Sequence, residues 1–132
     1  RESFIIRMPY YIRFRTLFER TADEALRSDV YAEIFLFECE NEAAGYGLIA
    51  KTYSQEAGGM VWWIEEVYVR EAFRSKGIGR EFFAYLDKVK GSAVTRMRLE
   101  VEEDNTRAVA LYKKLGYKPL EYAQMIKDAP LK

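Results

Sequence analysis

The 132-residue chain predicts a mixed α/β (α+β) fold, with one central, mostly antiparallel sheet and helices on both faces. Three observations carry that expectation. Apolar runs between Ala32 and Val69 are separated by short turn-forming segments, which is the pattern of a meander. Two later stretches repeat their apolar residues at helical spacing. Between and after them lie strand-like alternations, so the second half reads strand, helix, strand, helix, strand. The length suits one domain, residues 1–132.

Each element follows from local pattern. Pro9 to Arg27 reads as one or two helices, with Pro9 suited to a first turn and Leu17, Phe18, Ala22, Ala25 and Leu26 forming a stripe. Ser3 to Met8 is either a strand or the tail of an earlier helix. Ala32 to Cys39 is an apolar strand. Asn41 to Gly45 is a turn, Tyr46 to Tyr53 a second strand, Ser54 to Gly59 a longer turn, and Met60 to Val69 a third strand. A helix is expected from Gly77 to about Lys90, burying Ile78, Phe82, Phe83, Leu86 and Val89. Arg96 to Val101 alternates as a strand. Asn105 or Thr106 caps a helix that runs to Leu115, and Gly116 ends it in a left-handed position. Tyr117 to Ile126 is expected as a closing strand.

Composition narrows the function. With 49% hydrophobic residues the chain can bury a core. Its 21 basic and 21 acidic residues balance, which argues against a nucleic-acid partner. There is no histidine, so histidine bases and His-containing triads are out, as are most zinc sites; no metal is expected. The single cysteine, Cys39, cannot form an internal disulfide and reads as a small buried residue in a reducing, cytoplasmic setting. No apolar run is long enough for a membrane span and no signal peptide is visible. The chain opens on Arg1, so an upstream start or processing is expected.

The stretch Glu71 to Phe82, EAFRSKGIGREF, sets Gly77 and Gly79 where a helix begins. Glycine there costs backbone entropy and adds nothing to packing. A strand-to-helix turn of this kind presents unpaired N–H groups at a helix N-terminus, which suits an anion. Arg74, Lys76 and Arg80 add positive charge. The pattern is neither a P-loop nor a complete dinucleotide fingerprint, since Phe82 stands where a third glycine is needed. On the turn alone, a phosphate site and a ligand-free tight turn stand level.

The wider pattern separates them. VYVREAFRSKGIG followed by LEVEEDNTRAVALYKKLGYKPL resembles the GNAT superfamily of acyl-CoA-dependent N-acetyltransferases. Arg74, Gly77 and Gly79 match that family's R-x-x-G-x-G loop. Asn105, Ala108, Leu111, Tyr112, Leu115, Gly116 and Tyr117 match its N-x-x-A-x-x-L-Y-x-x-x-G-[FY] motif, and the clear match covers Tyr46 to Lys127. The resemblance implies acetyl-CoA as co-substrate and a sheet whose parallel strands splay at the acyl-CoA cleft, beside Val69 and Glu100–Val101. It implies that pantetheine runs along Val67, Tyr68 and Val69. Pyrophosphate would rest on the amides of Ser75, Lys76, Gly77, Ile78, Gly79 and Arg80, with Arg74 beside them. Asn105, next to Ala108, would bond the pantetheine arm. A homodimer is an assembly the family often uses.

Acetyl transfer to an amine sets two proton problems. A lysine-like amine has a pKa of about 10.4, so holding it neutral near pH 7 costs roughly 4–5 kcal/mol. The departing thiolate, from a thiol of pKa about 8.5, gains from a proton donor. Without histidine the base must be a carboxylate. Glu65 and Glu66 stand inside an apolar strand, where strict alternation sends one to each face and leaves at least one simply facing solvent. A bulge would bring both toward the cleft. Glu65 matches an acceptor or base position in several small-amine acetyltransferases and is slightly preferred. Tyr112 reads by periodicity as a core tyrosine, but the resemblance makes it the acid that protonates the CoA sulfur. A backbone N–H near Val69 would polarise the thioester carbonyl.

The expected activity is N-acetylation of a primary amine, with a small cationic amine as acceptor. Acetylation of protein lysine or N-terminal amines, and a non-catalytic acyl-CoA sensor, are the alternatives. An open groove beside Glu65 would favour a protein acceptor over a closed pocket. Tyr10, Tyr11, Phe14, Trp62 and Trp63 are candidates to line an amine pocket, against the plainer reading of ordinary packing. Only Arg1 to Val30 precede the first clear strand, which is short for the family's opening strand and two helices. Either that first strand is missing or Ser3 to Met8 supplies it.

Overall fold

The structure, a computed structural model, describes residues 2–5 and 16–131, with side chains from Glu19 onward. Its elements are β1 (Glu2–Ile5), α1 (Thr16–Arg27), β2 (Ala32–Cys39), β3 (Glu42–Ser54), β4 (Gly59–Val69), a 3₁₀ turn (Glu71–Phe73), α2 (Ile78–Val89), β5 (Val94–Leu99) and α3 (Thr106–Lys114). They fall into two compact units, Arg1–Glu100 and Val101–Lys132.

The first unit is built on a five-stranded sheet in the order β1-β2-β3-β4-β5. The first three pairings are antiparallel and β4 pairs β5 in parallel. Parallel neighbours need a crossover, and α2 supplies it. β1 pairs with β2 from Glu2↔Cys39 to Ile5↔Leu36, so an opening strand is present. Of the expected first helix, Thr16–Arg27 is helical and lies against β2. Pro9 and the residues up to Arg15 lie outside the described residues.

The core forms where α2 meets the sheet. Ile78, Phe82, Phe83 and Leu86 are its buried residues, a 3.6-residue stripe. Val89, expected on that stripe, is exposed at the last turn. Phe82 is fully buried, with ring centroids 5.5 Å from Phe35 and 5.0 Å from Phe37. Gly47 lies across from Phe35, and a Cβ there would fall 2.4 Å from the Phe82 ring. The glycine is what lets the helix seat. Ile34 and Leu36, on the other face of β2, are buried as well, and so is Cys39.

Three boundaries differ from the sequence expectation. β3 begins at Glu42, because Glu40 and Asn41 both take left-handed φ (52° and 65°) and close the hairpin themselves. β5 spans Val94–Leu99 rather than Arg96–Val101. The chain turns at Gly91, Met60 N–H bonds Ala93 O at 3.0 Å, and pairing starts at once with Met60↔Val94. The closing strand expected at Tyr117 to Ile126 is not formed. The second unit holds no other strand to pair with among the described residues, and Pro119 has no N–H to give a ladder.

The second unit is organised by α3. Asn105 caps it, its Oδ1 accepting from Ala108 N–H at 3.2 Å. At the other end Tyr117 N–H bonds Tyr112 O (2.9 Å) and Gly116 N–H bonds Lys113 O (3.1 Å), with Gly116 at φ 97°. That is a Schellman closure, and it needs glycine at the left-handed position.

Candidate active site

β4 carries most of the candidate groups. From Met60 to Ile64 it is paired on both sides. Pairing with β5 ends at Ile64↔Leu99, while pairing with β3 continues to Gly45↔Val69. From Glu65 to Val69, therefore, one edge of the strand has no strand beside it among the described residues. Such an edge can take an extended ligand by hydrogen bonds to the main chain. This is the segment Val67, Tyr68 and Val69 expected to hold pantetheine.

The register also accounts for the two carboxylates. Leu48 pairs with Glu66 and Ile49 with Ile64, which leaves Glu65 as the extra residue of a bulge. Both glutamates are exposed. Glu66 lies diagonal to Tyr46 across the strands, since Leu48 faces Glu66 and Tyr46 faces Tyr68. Glu65 has no hydrogen bond or ion pair among the described residues. Tyr46 pairs with Tyr68 across the strands, with ring centroids 5.8 Å apart. Burial pushes the Tyr46 phenol well above the usual tyrosine range, and the negative charge of the neighbouring Glu66 pushes it the same way.

The loop after β4 is anchored before it reaches its glycines. Arg70 N–H bonds Ala44 O at 2.7 Å, and the Arg70 guanidinium donates to Ala43 O. The 3₁₀ turn buries Phe73, whose ring lies 5.4 Å from the Arg70 guanidinium carbon and 5.7 Å from Lys76 Nζ. Arg74 Nε donates to Val69 O at 2.8 Å, and its guanidinium sits 5.9 Å from the Tyr68 ring. Arg74 thus ties the loop to the end of β4.

Beyond it, Ser75 (φ 65°) and Gly77 (φ 82°) both take left-handed backbone. Alternation of this kind turns successive amides into one concavity. No backbone acceptor within the described residues takes the N–H groups from Ser75 to Arg80; the first amide to bond is Glu81, to Gly77 O at 3.0 Å. A Cβ on Gly77 or Gly79 would meet nothing within 4 Å. Neither glycine is there to make room for the protein itself. The bare space faces outward, at the positive end of α2, flanked by exposed Lys76 and Arg80. The cradle fits a phosphate group in shape and charge.

In the second unit, Ala108 N–H is committed to the Asn105 cap, so what Ala108 leaves open is its small side chain. Asn105 keeps its amide NH₂. Tyr112 is partly buried, its ring 6.1 Å from that of Tyr117. Desolvation pushes its phenol up, which keeps the proton on.

The acetyltransferase (GNAT) family model matches residues 4–117. The chain belongs to the GNAT family. It is an acyl-CoA-dependent N-acetyltransferase, and its relatives among GNAT enzymes agree. A thialysine N-epsilon-acetyltransferase of Bos taurus is 30% identical over 119 residues, covering 80% of this chain and 69% of that protein. The fold is similar to a possible acetyltransferase from Clostridium difficile 630 (TM-score 0.75, 22% identity, 87% of this chain and 77% of that one). It is also similar to an aminoglycoside N-acetyltransferase in complex with CoA (TM-score 0.67, 18% identity, 83% and 74%). As a GNAT member the chain shares the family's use of acetyl-CoA.

The aromatic candidates for an acceptor pocket fare differently. Trp62 is buried with Lys51 Nζ 5.2 Å from its ring, and Lys51 in turn pairs with buried Glu33 at 2.7 Å. Trp63 lies 3.9 Å from the Arg98 guanidinium carbon. Both are taken up by packing within the paired half of β4. Tyr10, Tyr11 and Phe14 lie outside the described residues. Two residues that touch these candidate groups escaped the sequence reading. Phe73 carried a faint signal, an aromatic amid basic residues. Tyr46 carried none, because its place beside Glu66 depends on the strand register.

Proposed function

We propose that this GNAT chain transfers an acetyl group from acetyl-CoA to the primary amine of a small cationic acceptor, by direct attack assisted by a carboxylate base. One observation carries the reading: the open edge of β4 begins at a pair of glutamates and runs directly into a loop of unbonded amides. Val67 to Val69 would hold the pantetheine arm, and the Ser75 to Arg80 amides the pyrophosphate. Bound acetyl-CoA supplies the thioester carbonyl that the amine attacks. A carboxylate of the Glu65–Glu66 pair removes the amine proton, and its negative charge favours a cationic acceptor. Tyr112 is assigned as the proton donor to the sulfur from its motif position and its retained proton. The thialysine substrate in the bovine relative's name supports an amine on a short, lysine-like stem.

The test is thiol release from acetyl-CoA against spermidine, diamines, amino acids including thialysine, aminoglycosides and Lys peptides. Turnover confined to small amines is the expected result. Turnover confined to Lys peptides would replace the small acceptor by a protein one, and tight acetyl-CoA binding without any thiol release would favour a sensor.

A further inference from the structure

The geometry points to Arg74 as a positioning residue for the open edge of β4: it satisfies the last outward carbonyl of that edge in advance, and so serves the pantetheine half of the cofactor rather than its phosphates. This rests on the acetyl-CoA reading above and deepens it. The loop motif alone would set Arg74 beside the pyrophosphate. Its hydrogen bond runs the other way, back to the strand.

Alternate residues of a strand turn their N–H and C=O to opposite edges. Arg70 N–H bonds Ala44 O, so Arg70 turns its main chain toward β3. Val69, one residue earlier, turns its N–H and C=O to the edge that β5 leaves after Ile64↔Leu99. Arg74 Nε donates to that carbonyl at 2.8 Å. Arg74 is itself held in place to do so. Its own N–H bonds Glu71 O at 3.2 Å, which closes the 3₁₀ turn behind it. Its guanidinium rests 5.9 Å from the ring of Tyr68, the residue before the carbonyl it bonds.

An extended ligand on this edge would shut water away from Val69 O. A carbonyl covered without a donor costs more than an ordinary hydrogen bond contributes. Arg74 removes that cost before anything binds. Its Nε–H is thereby spent on the strand, and the planar fork with which an arginine grips a phosphate loses one of its donors. Charge for the phosphates is left to Lys76 and Arg80, both exposed, and to the amides from Ser75 to Arg80 at the start of α2.

Two measurements test the assignment. By calorimetry, Arg74→Gln should weaken CoA binding about tenfold, the order expected when a covered carbonyl has lost its donor. Adenosine diphosphate carries two phosphates and no pantetheine, and its Kd should change by less than about twofold. Equal weakening of both ligands would overturn the proposal, as would unchanged CoA binding. The second measurement needs no cofactor. The Val69 carbonyl ¹³C resonance should move in Arg74→Gln, and adding inorganic pyrophosphate to the parent chain should leave it in place. A resonance indifferent to the substitution, or one that pyrophosphate shifts toward its Arg74→Gln position, would overturn the assignment. Failure of the parent chain to bind CoA would instead remove the acetyl-CoA reading, and the carbonyl resonance would still decide what Arg74 holds.

Discussion

The two halves of β4 use the same strand for opposite ends. Met60 to Ile64 is flanked by β3 and β5, and Val61, Trp62 and Ile64 are buried there. Among the described residues, Glu65 to Val69 is flanked by β3 alone, and Glu65, Glu66 and Tyr68 are exposed. One bulged residue, Glu65, separates the regimes. Burial assigns stability to the first half and the proposed function assigns chemistry to the second, and substitutions should sort accordingly.

The largest effect is expected in the open half. Of Glu65→Gln and Glu66→Gln, the one that removes the base should lower kcat by about 10²–10⁴, the usual contribution of a positioned acid or base, while the urea midpoint stays put. A kcat within threefold of the parent across pH 6–9 for both variants would mean that the open half does not supply the base. The paired half should show the reverse. Ile64→Ala is expected to cost about 2–5 kcal/mol of unfolding free energy, read by urea denaturation. Val67→Ala, on the open side and only half-buried, should cost less than half as much. Equal costs would erase the comparison.

Gly79→Ala sharpens it further. The new Cβ meets open space, and alanine in a first helical turn gains roughly 0.5–1 kcal/mol over glycine. The variant should therefore be slightly more stable and yet bind acetyl-CoA about tenfold more weakly (about 1.4 kcal/mol), by calorimetry. Unchanged affinity would show that the loop does not hold the cofactor's phosphates. The smallest effect concerns alkaline pH. Tyr46 has a raised folded-state pKa, so its contribution to stability is complete below the unfolded value of about 10 and is lost as pH rises above it. Unfolding free energy should fall between pH 9 and 11, and fall less steeply in Tyr46→Phe. An identical slope in the two proteins would contradict a half-buried phenol whose titration is pushed up on folding.

The sequence disclosed the parts whose cause is local. Ala32–Cys39 is a strand from end to end, α2 starts at the glycine turn, and Gly116 closes α3, because each depends on a short pattern of apolar spacing or a left-handed φ. Even the bulge beside Glu65 could be foreseen as an option. Features set by pairing were out of reach. β5 was displaced by two residues because its start depends on where Met60 lies. The strand expected after Gly116 had the right composition but no other strand in its own unit among the described residues. Tyr46 looked like any strand aromatic until Leu48↔Glu66 set it diagonal to a carboxylate. Arg74 was legible as a loop cation, but not as the group that fastens the loop to Val69.

The open edge of β4 carries a hazard as well as a use. A bare strand edge templates pairing with any other chain, and proteins blunt such edges with charge and with bulges. Glu65 and Glu66 provide both: two negative side chains, one of them at the bulge itself. Charge at the bulge thus works against pairing of this edge with another chain. Neutralising both would strip that charge from the edge that continues through Val67, Tyr68 and Val69, so the same change that tests the chemistry also tests what keeps the edge apart from other chains.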